Sequence, residues 1–217
     1  MCFSATASFV TAGVTGAIGL VSLTRVRERR TLPLAITPIL FALQQGVEGL
    51  LWIDLPRAPG ESASTVLAFF YLFFAQVFWP VFAPVAVLLI EPNATRRLLM
   101  RLSLALGLGV GAFMLWWIID RPFGAVIEDG HVVYLTGFRR SDSAVLAYFA
   151  ASCLPLLMSS HRTVVRLGTV ILLGSIVSYI FYREAFVSSW CFFAAASSVV
   201  ILGHFERSYR RRLPVAA

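Results

Sequence analysis

Residues 65–90 read TVLAFFYLFFAQVFWPVFAPVAVLLI, a run without a single charged side chain. A helix rises about 1.5 Å per residue, so the run is long enough to cross the ~30 Å hydrocarbon core of a bilayer. It lacks the alternation of polar and apolar residues that a barrel strand would show. The stretch therefore predicts a membrane-spanning helix, bent where Pro80 and Pro84 remove backbone donors.

The rest of the chain repeats this pattern. Of its 217 residues 59% are hydrophobic and only 13% are charged, and the mean hydropathy is +0.82. Soluble domains carry about 25% charged residues, so the composition predicts a lipid-exposed protein. We expect an all-α, polytopic bundle forming a single domain over residues 1–217. Its seven transmembrane helices are predicted at 3–24, 32–54, 65–90, 98–119, 144–159, 163–182 and 185–205.

The basic residues predict the orientation of this bundle. All eighteen are arginines, and they cluster at the ends of apolar runs. Thirteen fall in loops on one side of the predicted bundle, and the other side holds five, namely Arg57, Arg121, Arg139, Arg140 and Arg183. The positive-inside rule then places the N-terminus outside and the C-terminus in the cytoplasm, as in a multi-pass protein of the bacterial inner membrane. The same distribution argues against nucleic acid as a partner, and the lack of lysine excludes a retinal Schiff base.

The longest loop contains AVIEDGHVVYL at residues 125–135. Asp129-Gly130 between two β-branched stretches is typical of a tight hairpin turn. We expect a short β-hairpin over the outer face, either a lid on a cavity or an ordered connection.

Polar residues inside the second predicted helix form the first candidate site. Gln45 lies three residues before Glu48, while Gln44 and Trp52 lie four residues to either side, so all share one helix face. Glu48 lies about 9 Å below the outer boundary of the helix at 1.5 Å per residue. Intramembrane acids are costly and usually functional, although a protonated glutamate can also serve as packing glue.

Two further helices contribute polar and aromatic residues at membrane depth. Gln76 lies near mid-membrane, just before Trp79 and Pro80, and we expect Pro80 to free the Gln76 carbonyl four residues earlier. Trp190 and Cys191 follow two serines on the last helix, and Cys191 lies about 10 Å deep, level with Glu48. A buried cysteine can equally be an inert small hydrophobe.

Cys2 stands at the outer end of the first helix. It could act as a nucleophile, as a soft-metal ligand together with Cys191, or as half of a disulfide, besides being an ordinary second residue. No HxxxH or CxxC spacing occurs in the sequence, and no cofactor is indicated.

Four stretches carry a resemblance to a known family: MCFSATASF at 1–9, QQGVEGLLW at 44–52, FWP at 78–80 and AFVSSWCFFAA at 185–195. Together they resemble an uncharacterised family of small bacterial seven-helix membrane proteins, a domain of unknown function. The resemblance implies no activity. It implies that these positions recur as one set, which includes Cys2, Glu48 and Cys191.

Three functions remain open from the sequence. The first is a protein that binds or transports a small ligand, cation or proton in an outward-facing cavity lined by Gln45, Glu48, Trp52, Gln76, Trp79, Trp190 and Cys191. The second is an intramembrane thiol- or metal-dependent enzyme or redox protein using Cys191 and Glu48. In both cases the lipid bilayer is an expected partner of the protein. The third is a partner or sensor subunit whose polar face only packs helices. Homo-oligomers are compatible with all three.

Overall fold

A computed structural model describes residues 4–57, 62–138, 142–182 and 185–210. Cys2, Arg183 and Glu184 lie outside these residues. Within them the chain forms ten α-helices and one hairpin, in the order α1 Ala5–Thr24, α2 Leu32–Asp54, α3 Ser62–Leu72, α4 Trp79–Ile90, α5 Ala94–Asp120, β1 Gly124–Glu128, β2 His131–Leu135, α6 Asp142–Ser152, α7 Leu154–Leu157, α8 Arg162–Phe181, α9 Phe186–Ala196 and α10 Ser198–Arg210.

Six segments in the described residues have the length and apolarity needed to cross a membrane. They are Ala5–Thr24, Arg29–Asp54, Ala63–Ile90, Ala94–Asp120, Arg162–Phe181 and Phe186–Tyr209. The predicted fifth span is a shorter apolar helix, Ser143–Ser152, followed by the single turn α7. Pro155 stands at the second position of α7, where its missing N–H interrupts a continuous helix. The mostly helical fold is confirmed, with six helices in the described residues that are long and apolar enough to cross a membrane and a shorter helix at the predicted fifth position.

Contacts between distant residues define two ends of the bundle. At the arginine-rich end, Arg25 pairs with Glu206, and Arg96 donates to the Met158 carbonyl at 3.1 Å. At the hairpin end, the Trp117 indole donates to the Thr136 carbonyl at 2.9 Å. The α6–α7 segment joins the two ends, because it follows the hairpin and leads to Met158.

Small residues allow the helices to approach closely. A Cβ on Gly49 would lie 2.8 Å from the Phe9 ring, and one on Gly19 would lie 2.4 Å from the side chain of Ile39. These pairs make α1 and α2 antiparallel neighbours. A Cβ on Gly107 of α5 would come within 2.0 Å of the Pro80 carbonyl oxygen. Such contacts bring helix backbones together where apolar side chains gain nothing by leaving lipid.

The predicted hairpin is confirmed. Strands β1 and β2 pair antiparallel, with Glu128 opposite His131. The two turn residues Asp129 and Gly130 have φ angles of 47° and 72°, the left-handed conformation that a two-residue hairpin turn requires.

Candidate functional site

The central polar site is built on one face of α2. Gln44, Gln45 and Glu48 have no exposed side-chain surface, whereas Leu43 on another face of the helix is 55% exposed. The i, i+3, i+4 spacing turns these three polar residues inward together. We call Gln44, Gln45, Glu48, Trp79 and Cys191 the glutamine–cysteine cluster.

Gln44 links three helices of this cluster. Its side-chain oxygen Oε1 accepts a hydrogen bond from Trp79 Nε1 on α4 at 2.8 Å. Its nitrogen Nε2 donates to Cys191 Sγ on α9 at 3.1 Å. The amide orientation is consistent with both contacts, because indole N–H groups only donate. Gln44 was part of the predicted face but not of the predicted site, and its spacing of four from Glu48 was the signal that could have placed it there.

Glu48 lies one turn from Gln44, and its carboxyl group is near enough to Cys191 for an electrostatic interaction. Helix α2 carries no basic residue from Leu32 to Asp54. Gln45 is equally buried, and neither its Oε1 nor its Nε2 has a hydrogen-bond partner among the described residues. Buried amides are nearly always paired in proteins, so Gln45 is the cluster's unsatisfied member.

The hairpin covers the cluster from its own end of the bundle. The rings of Tyr134 on β2 and Tyr71 on α3 stack with centroids 4.6 Å apart and planes 8° apart. Tyr71 is fully buried and belongs to the same packed group as Cys191 and Val132, a hairpin residue with no exposed surface. Trp52 packs against this group too. The hairpin is thus an integral part of the packing above the cluster.

The π-helical segment Phe73–Phe78 carries Gln76 between α3 and α4. In this segment the Trp79 N–H bonds to the Phe74 carbonyl five residues earlier. In the same register the Ala75 carbonyl would need an N–H from Pro80, which has none. The Tyr148 hydroxyl of α6 donates to the Ala75 carbonyl instead. Pro80 was predicted to free the carbonyl of Gln76. Because the helix has shifted to π geometry, the carbonyl that receives the Tyr148 donor is that of Ala75, one residue earlier.

Two of the cavities that predicted site residues line also contain Tyr148 of α6. The α6–α9 cavity, of about 80 Å³, is partly open and is lined by residues that include Gln76, Tyr148 and Trp190. The central cavity, of about 50 Å³, is lined by residues that include Trp79, Tyr148, Trp190 and Cys191. Glu48 lines neither of them. Of the predicted site residues, the cluster therefore contains Gln45, Glu48, Trp79 and Cys191. Gln76 lines the α6–α9 cavity, and Trp190 lines both cavities.

The described residues contain no group of three or more His, Cys, Asp or Glu side chains arranged to hold a metal ion. Cys2, the predicted metal-binding partner of Cys191, lies outside the described residues. Cys153 and Cys191 are both buried free thiols.

A second buried acid lies at the arginine-rich end. Glu91 is 4% exposed and accepts hydrogen bonds from the backbone N–H groups of Asn93 and Ser160 at 3.1 and 2.7 Å, and from the hydroxyls of Ser159 and Ser160. Burial alone would raise the pKa of Glu91, but the bonds from Ser160, Asn93 and Ser159 outweigh it and lower the pKa. This carboxylate fastens the α4–α5 turn to the α7–α8 turn.

Six helices long and apolar enough to span a membrane, close glycine contacts and a buried polar cluster indicate a helical membrane protein. The chain belongs to the family of unknown function DUF6629, whose model matches residues 1–217. This confirms the resemblance carried by the four stretches quoted above. No curated protein and no solved structure matches the chain.

Proposed function

We propose that this protein crosses the membrane seven times and binds or translocates a small ligand, a cation or a proton through Glu48. The observation that carries the proposal is the complete burial of Glu48 beside Gln44 and Gln45 on a helix without basic residues. A charge in such surroundings is costly unless a proton or a cation neutralises it. Helix packing alone would be served by apolar side chains at lower cost.

The seven-crossing topology rests on the α6–α7 segment. Its residues 142–157 would span about 24 Å at 1.5 Å per residue, which is shorter than the ~30 Å hydrocarbon core. The segment nevertheless connects the hairpin end to the arginine-rich end, where Arg96 bonds to Met158. With this crossing the N-terminus lies outside and the C-terminus in the cytoplasm, and thirteen of the eighteen arginines face the cytoplasm.

The hairpin would act as the lid of the site. Its contacts above the cluster include the aromatic stack of Tyr134 on Tyr71 and the buried side chain of Val132, and Ala125 and Ile127 of β1 pack against the same group. Lifting the hairpin would open a route to Glu48 from the outer face, while Gln45 offers an unsatisfied amide to whatever enters. This gives the predicted outward-facing cavity a mechanism of opening.

The experiment compares Glu48→Gln with the wild-type chain and with Glu128→Gln, an exposed hairpin acid of the same chemistry. Thermal unfolding of the detergent-purified proteins is followed over a pH series, and with sodium, potassium, magnesium or calcium chloride at constant ionic strength. A bound proton or cation stabilises the folded state by mass action. We expect a pH- or cation-dependent Tm in the wild type and in Glu128→Gln that is lost in Glu48→Gln. An identical dependence in all three proteins would contradict the proposal.

Thiol or metal chemistry at Cys191 is the second candidate, favoured by the 3.1 Å contact between Gln44 Nε2 and Cys191 Sγ. The thiolate is the form of cysteine that attacks electrophiles or binds metals. Alkylation with N-ethylmaleimide across a pH series, in a Cys2→Ser/Cys153→Ser background, reads Cys191 alone. Rapid alkylation at neutral pH, or a bound metal that Cys191→Ser removes, would support this candidate. Slow alkylation together with metal-free protein would exclude it.

A further inference from the structure

We propose that helices α5 and α8 each bind one anionic phospholipid, whose phosphate lies between two arginines and whose acyl chain lies along the exposed helix face below them. The arginines are Arg97 and Arg101 on α5, the α5 pair, and Arg162 and Arg166 on α8, the α8 pair. Both helices are long and apolar enough to cross a membrane. Glu48 takes no part in this surface, so the inference goes beyond the function proposed above.

The two helices carry the same sequence pattern. Two arginines lie four residues apart, and a leucine follows seven residues after the second, which gives Arg97, Arg101 and Leu108 on α5 and Arg162, Arg166 and Leu173 on α8. At 3.6 residues per turn, the three positions on each helix lie within about 40° of one another around the axis. All six residues are exposed, Leu108 by 53% and Leu173 by 57%. Each arginine pair therefore lies on the same face as an exposed apolar side chain.

The positions along each helix match the two parts of a phospholipid. Both pairs lie near the N-terminal ends of their helices, at the arginine-rich end of the bundle. Because Cα–Cβ bonds tilt toward the helix N-terminus, the long arginine side chains reach toward the headgroup layer. The leucine lies about 10 Å deeper than the second arginine, at the level of the acyl chains. One lipid can therefore contact both parts of the pattern.

The α5 and α8 pairs are charges without an acidic partner. Among the described residues, no carboxylate forms an ion pair with any of the four arginines. Two acids of this end are engaged elsewhere, because Glu206 pairs with Arg25 and Glu91 accepts hydrogen bonds from serine and backbone donors. Like charges four residues apart on a helix repel each other. A phosphate between the arginines would remove this repulsion, and the planar guanidinium group binds phosphate oxygens in pairs.

Membrane orientation alone does not require this arrangement. The positive-inside rule counts arginines near the ends of spans, whatever helix face they occupy. Four other exposed arginines of the same end satisfy it too, and each lies within two residues of Glu28 or Glu206, namely Arg27, Arg29, Arg30 and Arg207. These four provide a matched control, because they carry the same charge without the helical spacing and the leucine below it.

The test counts bound lipids by native mass spectrometry of the full-length protein in detergent. The probes are dioleoyl phosphatidylglycerol, which is anionic, and dioleoyl phosphatidylcholine, which has the same chains and no net charge. We expect two phosphatidylglycerol molecules per chain and a preference over phosphatidylcholine of about fivefold or more, the factor for one arginine near an anionic lipid surface. Excess glycerol 3-phosphate, which lacks acyl chains, should not displace them. Equal binding of the two lipids, or displacement by glycerol 3-phosphate, would overturn the proposal.

Glutamine variants locate the two lipids. Arg97→Gln/Arg101→Gln and Arg162→Gln/Arg166→Gln should each retain one phosphatidylglycerol, and the two sets combined should retain none. The control variant removes the same charge and should retain both lipids, with glutamine in place of Arg27, Arg29, Arg30 and Arg207. Two lipids on the combined variant would contradict the assignment, as would equal losses in the combined and control variants, because binding would then follow net charge alone.

Two further comparisons complete the test. Lysine at the four α5 and α8 positions keeps the charge but loses the planar two-point contact with phosphate, so the preference for phosphatidylglycerol should fall and still exceed that of the glutamine variant. Glu48→Gln should retain both lipids, which separates this surface from the function proposed for Glu48. Thermal unfolding verifies that each variant is folded. A lysine variant that binds no better than the glutamine variant would rule out a phosphate held by these charges.

Discussion

Trp79 Nε1 and Gln44 Oε1 are joined by a 2.8 Å hydrogen bond between α4 and α2, with both side chains buried. Because an indole N–H can only donate, this bond fixes the orientation of the Gln44 amide. The amide nitrogen Nε2 then lies toward Cys191 Sγ, to which it donates. Three helices distant in sequence therefore meet at a single side chain.

Trp79→Phe should destabilise the protein through this bond. The substitution keeps an aromatic ring but leaves the Gln44 oxygen without its donor, at a cost of about 1–3 kcal/mol. Trp116→Phe is the matched control, because Trp116 is 52% exposed on α5. Denaturant unfolding in detergent should show a loss for Trp79→Phe and little change for Trp116→Phe. Equal stability of the two variants would show that the bond contributes nothing.

Tyr148→Phe should cost stability by leaving the Ala75 carbonyl without its hydroxyl donor, an effect of about 1–3 kcal/mol. Pro80→Ala provides the sharper comparison, because an alanine at this position supplies the backbone N–H that the π register lacks. In a double-mutant cycle measured by thermal unfolding, Tyr148→Phe should therefore cost less in the Pro80→Ala background than in the wild type. Strict additivity would disprove the link between Tyr148 and the proline.

Gly107→Ala should be strongly unfavourable. The new Cβ would come within 2.0 Å of the Pro80 carbonyl oxygen, and helices α4 and α5 would have to separate. Overpacking of this kind typically costs about 1–3 kcal/mol. Gly109→Ala, two residues along the same helix, has no atom within 4 Å and should be neutral or stabilising by about 0.5–1 kcal/mol through helix propensity. Thermal unfolding of both variants makes the comparison.

Glu91 should make stability fall in acid. Its pKa in the folded protein is lowered from 4.5, so its contribution is complete above pH 4.5 and disappears as the pH falls through the lower folded value. Glu91→Gln should therefore be less stable than the wild type at neutral pH and approach it in acid. Glu128→Gln, on the exposed hairpin, should follow the wild type throughout. A constant gap between Glu91→Gln and the wild type would contradict this assignment.

The sequence alone determined the class of fold and the inward face of α2. Long apolar runs are local signals with a length set by the bilayer, so the six candidate spans fall close to their predicted positions. The Asp129-Gly130 turn is equally local, and the hairpin formed where it was expected. The common face of Gln44, Gln45 and Glu48 follows from helical periodicity alone.

Only the tertiary structure decided which groups meet on that face. Cys191 lies 147 residues from Gln44 in the chain, and their contact depends on how α2, α4 and α9 rotate about their axes. The close approach of α4 to α5 at Gly107 and the π-helical segment before Pro80 help to set such rotations. The packing of Tyr134 on Tyr71 likewise depends on where the hairpin docks. Periodicity in a sequence gives the direction of a side chain relative to its own helix, whereas its partners depend on the packing of all the others.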